Sequence, residues 1–272
     1  MRVMGVINIS PESFFKESIK QGYEDIAETA KKMEEYGADI IDLGAMSTAP
    51  YLNTIISADE EISRFQIGVK AVREVCKDII ISVDTPRSEV AREALKLGAD
   101  MVNDITGLKY DDNMANIIKE YDAYALLSAY SKDQSDGNIN DTIRLLDDSI
   151  KIARDAGIDE DKIVIDPAIG FFRKEGNNPF FTKISKDWYD RDLSIIKHLN
   201  ELKVLEKPIC VSVSRKSFIG KVLDIEDPSE RLFGSIATEA IAVMNGADII
   251  RTHNVYQSIQ AIKMAEAILK AD

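Results

Sequence analysis

Polar residues that follow short apolar runs carry the chemistry this sequence can offer. Along the chain they are Asn8, Asp42, Asp84, Asn103 with Asp104, Ser128, Asp166, Lys216, and Arg251 with His253. Aspartate and asparagine at such positions often only cap the next helix, and Asp42, followed by Leu-Gly, reads that way. Asp84, Asn103 and Asp166 differ as a set, because each ends a mainly apolar run. Three polar groups facing a lysine make a grip for a flat, nitrogen-rich heterocycle: a carboxylate pairs with an aminopyrimidine edge and Lys216 bonds a ring carbonyl. Arg251 and His253 are two residues apart, so on a strand they point the same way. With Asn8 they suit a phosphate or diphosphate, held directly or through a metal. Residues 208–220, PICVSVSRKSFIG, add a buried strand that empties into Ser214-Arg215-Lys216-Ser217 before a helix start. Cations, hydroxyls and unpaired helix amides there favour an anionic or polar ligand.

Elements that bring such residues together must end at one level. The segments GADIIDLG (37–44), GADMVNDITG (98–107) and GADIIRTHN (246–254) share one plan: a helix ends at glycine, a short apolar strand follows, and polar residues end the strand. Residues 155–170 are a looser copy. Eight strands are predicted, at about 2–8, 39–43, 79–83, 100–104, 122–128, 162–166, 208–213 and 248–251, with helical periodicity clearest over 25–35, 88–97, 232–245 and 259–270. Continuous apolar strands alternating with helices imply parallel pairing under a helical layer. Eight such units in 272 residues match an α/β (β/α)8 TIM barrel in one domain, 1–272, better than a doubly wound sheet. The long strand-to-helix loops, 44–58, 128–141 and 170–190, then lie on the barrel's functional face. Loops 128–141 and 170–190 are both expected to be mobile: the first has few apolar anchors, and the second carries Phe171, Phe172, Phe180, Phe181 and Trp188 and reads as a lid or a cover for a partner subunit.

Composition narrows the partners. The net charge is −13, from 34 basic and 47 acidic residues, which argues against nucleic acid and anionic membrane surfaces. No apolar run approaches the length of a membrane span, and the N-terminus turns polar too early for a signal peptide. Cys76 and Cys210 have no metal-type spacing. Cys210 lies in an apolar strand and reads as a buried thiol, so a cytoplasmic setting is expected.

Seven ordered segments give the chain a strong resemblance to the dihydropteroate synthase family: MGVINISPESF (4–14), GADIIDLGAMSTAP (37–50), ISVDT (81–85), VNDITG (102–107), IDPAIGF (165–171), SRKSFIG (214–220) and GADIIRTH (246–253). The resemblance implies a barrel enzyme, commonly a homodimer, that joins a dihydropterin methyl diphosphate to an aryl amine with loss of pyrophosphate. Asp84, Asn103, Asp166 and Lys216 would hold the pterin. Asn8, Arg251 and His253 would hold the diphosphate, with Asn8 also on Mg2+; Thr48 and Ser217 would meet the second substrate. Asp84, Lys216, Arg251 and His253 would take the catalytic roles. The family's second loop reads Gly-Glu-Ser-Thr-Arg-Pro, whereas residues 45–50 here are Ala-Met-Ser-Thr-Ala-Pro, with both charges missing. The first loop has Phe15-Lys16-Glu17-Ser18 in place of Ser-Asp-Gly-Gly, Leu126-Leu127-Ser128 stands where the fifth strand has a Met-His pair, and Asn254 replaces an aspartate. The amine is therefore open: p-aminobenzoate, or a larger one such as the ribosylated phosphate of methanopterin synthesis. Rival readings are a methyltetrahydropterin–corrinoid methyltransferase, a pterin-binding protein without catalysis, and an aldolase-type barrel built on Lys216. The last needs a desolvated lysine, and the polar turn around Lys216 predicts an exposed, charged one.

Overall fold

The computed structural model describes residues 1–11, 19, 20, 22–52 and 55–271. The first-loop departure at residues 15–18 lies outside them. Eight parallel strands form the barrel: β1 (Arg2–Asn8), β2 (Ile40–Gly44), β3 (Ile80–Asp84), β4 (Met101–Asp104), β5 (Tyr124–Ser128), β6 (Ile163–Asp166), β9 (Cys210–Ser212) and β10 (Ile249–Thr252). Their order is β6-β5-β4-β3-β2-β1-β10-β9, and the ring closes through a single parallel bridge, Ile165–Ile209, beside the bond from Ile165 N–H to the Pro208 carbonyl. This is the α/β barrel expected. The predicted strands fall within two residues of these bounds, except that β9 is the three-residue core of the span 208–213. Two further strands escaped prediction: β7 (Phe172–Arg173) and β8 (Thr182–Lys183) pair in parallel inside the long loop after β6.

The Gly-Ala-Asp repeat has a physical cause. Gly37, Gly98 and Gly246 all adopt φ near +100°, a left-handed conformation that side chains resist, and so end the preceding helix. The aspartate two residues on then accepts a backbone N–H at the start of a neighbouring strand segment: Asp39 from Val3, Asp100 from Ile81 and Asp248 from Ile209, at 2.8, 2.8 and 2.9 Å. Each repeat fixes strand register at the N-terminal end of the barrel strands.

Alternation along the strands does the rest. Met4, Ile40, Met101, Leu126, Val164, Cys210 and Ile249 fill the barrel interior as one apolar cluster. Two residues further on, the same inward rows deliver Asp42, Asn103, Ser212 and Arg251, and the half-buried Ile80 leads in the same way to Ser82. Cys76 and Cys210 are buried free thiols, as the apolar setting of Cys210 predicts. Among the described residues no helix is long and apolar enough to cross a membrane.

Candidate active site

At the C-terminal face the inward rows end in two connected cavities. The inner chamber, of about 270 Å3, is lined by Asp84, Asn103, Ser128, Asp166, Ser212, Lys216 and Arg251, with Ile105, Ile169 and Phe171 as apolar walls. The outer cleft, of about 670 Å3, runs past Asn8, Met46, Thr48, Ala49, Tyr51, Arg173, Ser217 and His253. Asp84, Phe171, Ser212, Lys216 and Arg251 line both and form the seam. The structure thus brings together every sequence-predicted site residue, Asn8, Thr48, Asp84, Asn103, Asp166, Lys216, Ser217, Arg251 and His253.

Arg251 organises the inner chamber. Its Nε donates to Asp42 at 2.7 Å, Nη2 to Asp84 at 2.9 Å, and Nη1 to Ser212 at 3.4 Å. Asp42 is fully buried and also accepts from Ser82 Oγ at 2.6 Å and from the Asn103 amide at 3.3–3.4 Å. The cap reading of Asp42 is therefore wrong: it is the buried counter-ion that sets the arginine and Asn103. The register held the signal, because Asp42 is two residues beyond the inward Ile40 and pairs with Val6 and Ser82. Asp104 caps no helix either: it accepts the Thr106 and Leu108 N–H groups at 2.8 and 2.7 Å within a turn, and the next helix starts only at Met114.

Three carboxylates, Asp42, Asp84 and Asp166, face two cations, Arg251 and Lys216, so the chamber carries one formal negative charge in excess. Asp84 Oδ1 is buried without a hydrogen-bond partner among the described residues, and burial raises the Asp84 pKa against the pull of Arg251. Asp166 accepts one backbone bond, from Ala168 N–H at 2.7 Å, and burial raises it too. A buried acceptor without a partner beside a second, singly bonded carboxylate calls for a ligand rich in N–H donors.

Lys216 is not the exposed lysine that the polar turn predicts. Burial, then Arg251, push its pKa down to about 8, and its Nζ lies 4.3 Å from the centre of the Phe171 ring. Gly170, at φ +89°, leaves room for it: a Cβ there would come within 2.9 Å of Lys216 Cδ. Arg215 is the residue the turn hides. It is 3% exposed, has φ +60°, and donates to Asn254 Oδ1 at 2.8 and 3.0 Å and to the Pro228 and Ser229 carbonyls. It braces the turn rather than facing a ligand. His253 Nδ1 is 3.0 Å from Ser214 Oγ; burial, then Arg251 and Lys216, push its pKa down to about 3, so at neutral pH the ring is an uncharged hydrogen-bonding group.

The long loop after β6 forms the roof. Asn178 Nδ2 donates to the Ala49 carbonyl at 2.8 Å and reaches those of Thr48 and Leu52. Asn177 bonds the Pro50 and Tyr51 carbonyls at 2.7 and 3.0 Å. Phe172 and Phe180 are buried beneath. Contrary to the mobility expected of loop 128–141, that loop is pinned to the roof: Tyr130 OH donates to the Pro179 carbonyl and Ser131 N–H to Thr182 Oγ1, both at 2.9 Å. Sequence reading missed Arg173, which β7 turns into the outer cleft. A lone arginine in a charged, aromatic loop gave no signal of where it points.

Among the described residues no cluster of three or more His, Cys, Asp or Glu could hold a metal ion. The buried Lys216 meets the condition that the aldolase reading sets, and kinship decides against that reading instead. The pterin binding enzyme family matches residues 4–253. A dihydropteroate synthase of Synechocystis sp. is 36% identical over 274 residues, covering 98% of this chain and 89% of that protein. The one from Bacillus subtilis is also 36% identical, over 98% of this chain and 88% of its own. The dihydropteroate synthase of Clostridium difficile, solved in the presence of pteroic acid, superposes with a TM-score of 0.85 at 38% identity, covering all of this chain and 97% of its own. That of Xanthomonas albilineans, solved with 7,8-dihydropteroate, gives 0.83 at 26% identity over 100% and 94%. Barrel closure, the inward polar rows and these similarities agree: the chain belongs to the pterin binding enzyme family, among the dihydropteroate synthases.

Proposed function

We propose that the protein condenses a dihydropterin methyl diphosphate with an aryl amine and releases pyrophosphate. The observation that carries this is the inner chamber, where Asp84, Asn103, Asp166 and Lys216 surround a space with a buried carboxylate oxygen that has no partner among the described residues. A pterin presents an amino group and ring N–H donors on one edge and a carbonyl beside them. Asp166 and Asp84 accept from the donors, Asn103 bonds the ring edge, and Lys216 donates to the carbonyl. With the ring inside, the methyl diphosphate lies at the seam. Asn8, Arg251 and His253 bond the phosphate oxygens in the outer cleft, Arg251 as a cation already fixed by Asp42 and Asp84, and His253 as a neutral donor.

In the reaction the methylene C–O bond breaks and its electron pair leaves with the diphosphate. The amine lone pair forms the new C–N bond, and the amine then gives up a proton to the released pyrophosphate. The carbocationic character that develops at the methylene is stabilised by the excess negative charge of the chamber, nearest at Asp84, while Arg251 stabilises the departing anion. No covalent enzyme intermediate is needed. A donor set of one amide oxygen, Asn8, fits Mg2+ only as an ion held mostly by the diphosphate itself; when bound, it would neutralise charge on the leaving group. Thr48 and Ser217 line the cleft where the amine enters.

We further propose a homodimer in a cytoplasmic setting. The helix Leu232–Met244 exposes Phe233 (83%), Ile241 and Met244 in one stripe, an apolar face suited to a second copy.

The test supplies dihydropterin methyl diphosphate, Mg2+ and a panel of aryl amines, and follows pyrophosphate. Release that depends on an amine is expected. Tight binding with no release for any amine supports a non-catalytic pterin protein, and methyl transfer to a corrinoid supports the methyltransferase rival.

A further inference from the structure

The outer cleft has one desolvated cation that the pterin and its diphosphate do not explain. Arg173 is 7% exposed and is held in place from three sides. Its guanidinium stacks on Trp188 at 4.0 Å, Nη1 donates to the Phe172 carbonyl at 2.9 Å, and Nη2 donates to Ser217 Oγ at 2.9 Å. Its carboxylate neighbour is Asp192, whose Oδ2 lies 3.7 Å away, beyond hydrogen-bond reach. Asp192 is shared with Arg191 at 3.3 Å and also accepts the Gly170 N–H at 3.1 Å. Two arginines therefore divide one carboxylate beneath the roof. Arg191 is locked by the Pro167 carbonyl and Thr142, and Arg173 is the one that lines the cleft.

Across the cleft the second loop supplies no charge. Ala49 stands where an arginine is usual in this family, and its carbonyl is bound by Asn178 of the roof, so loop and roof are joined there. An anion entering between Thr48 and Ser217 meets Arg173 from the roof side.

We propose that Arg173, acting with Ser217, is the specificity-determining contact for the anionic tail of the aryl amine, taking over the task that residue 49 does not perform. The inference rests on the proposed condensation. The amine lies with its tail at Arg173 and its nitrogen toward the seam. The roof closes over this end of the cleft through Asn177 and Asn178, so the tail is a short one, a carboxylate on the ring rather than a phosphorylated sugar.

The experiment compares wild type, Arg173→Lys and Arg173→Met with 4-aminobenzoate, with its neutral amide, and with an aryl amine carrying a ribosyl phosphate. Amine affinity is measured by calorimetry with pyrophosphate present, and steady-state kinetics are run at saturating dihydropterin diphosphate. Arg173→Met should weaken 4-aminobenzoate by about 10- to 100-fold, the size of a lost charge-assisted bond. It should leave the amide within about twofold and pterin affinity unchanged, and Arg173→Lys should lie between. An equal loss for acid and amide, or none, overturns the proposal, as does a preference of the wild type for the ribosyl phosphate that Arg173→Met leaves intact. Because calorimetry does not need turnover, an enzyme that binds 4-aminobenzoate through Arg173 but releases no pyrophosphate upholds the contact and defeats the condensation.

Discussion

The inner chamber and the outer cleft are built by different means. Every polar group of the chamber except Lys216 sits on a barrel strand or at its last residue, at a depth set by strand register. The cleft is built by the loop 44–52 and the roof 170–184, joined by amide-to-carbonyl bonds from Asn177 and Asn178. The chamber carries one formal negative charge in excess and an acceptor in need of a donor, whereas the cleft adds the cation Arg173 and neutral hydroxyls. One enzyme can thus keep its grip on a pterin in the scaffold while its choice of amine drifts in the loops, where substitution costs the barrel little.

The sharpest way to break the contrast is Arg251→Met. It leaves Asp42 and Asp84 as neighbouring buried carboxylates with no counter-ion, a change of about 3–5 kcal/mol. Thermal unfolding should move sharply downward and pterin binding should be lost. Adding Asp42→Asn should recover much of the stability but not the binding. Recovery of binding as well would show that Arg251 serves only the fold.

A pH titration separates the regions next. Lys216 has a pKa of about 8, so its ammonium is present below that value and lost above it. Affinity for the pterin should be highest between about pH 7, below which Asp84 takes up a proton, and about pH 8, above which Lys216 loses one, while amine affinity follows no such alkaline limb. Lys216→Met should be weaker throughout and lack the alkaline fall; an unchanged alkaline limb in that variant assigns the titration to another group.

Ala49→Arg should give the smallest change, a few-fold shift in preference among amines at constant pterin affinity. An unchanged preference would mean that the second loop does not read the amine, and the comparison of chamber with cleft would lose its second half.

The barrel was legible because its signals are local. Glycine ends a helix, an aspartate two residues on holds the next strand, and an apolar run of fixed length brings a polar residue to the mouth. Asp84, Asn103, Asp166, Arg251 and His253 follow from that plan with period-two alternation. Asp42 was misread because a lone aspartate before Leu-Gly is as good a cap as a counter-ion; only its pairing with Arg251, 209 residues away, decides. The turn at 214–217 reversed expectation for a similar reason. A positive φ at Arg215 turns that side chain inward toward Asn254 and leaves Lys216 beside Phe171, and sequence does not show which of two adjacent basic residues takes the strained position. β7 and β8, of two residues each, are too short to have a periodicity, and Arg173 depends on them.

The most direct test of the chamber is calorimetric titration of dihydropterin methyl diphosphate into wild type and Asp166→Asn. Asp166 lies at the inner end of the site, far from the amine, and the neutral variant keeps its shape while losing the charged acceptor. Binding weakened by about two orders of magnitude, the scale of a lost buried charge-assisted bond, is the predicted result. Equal affinity in the two proteins would contradict it and place the pterin elsewhere.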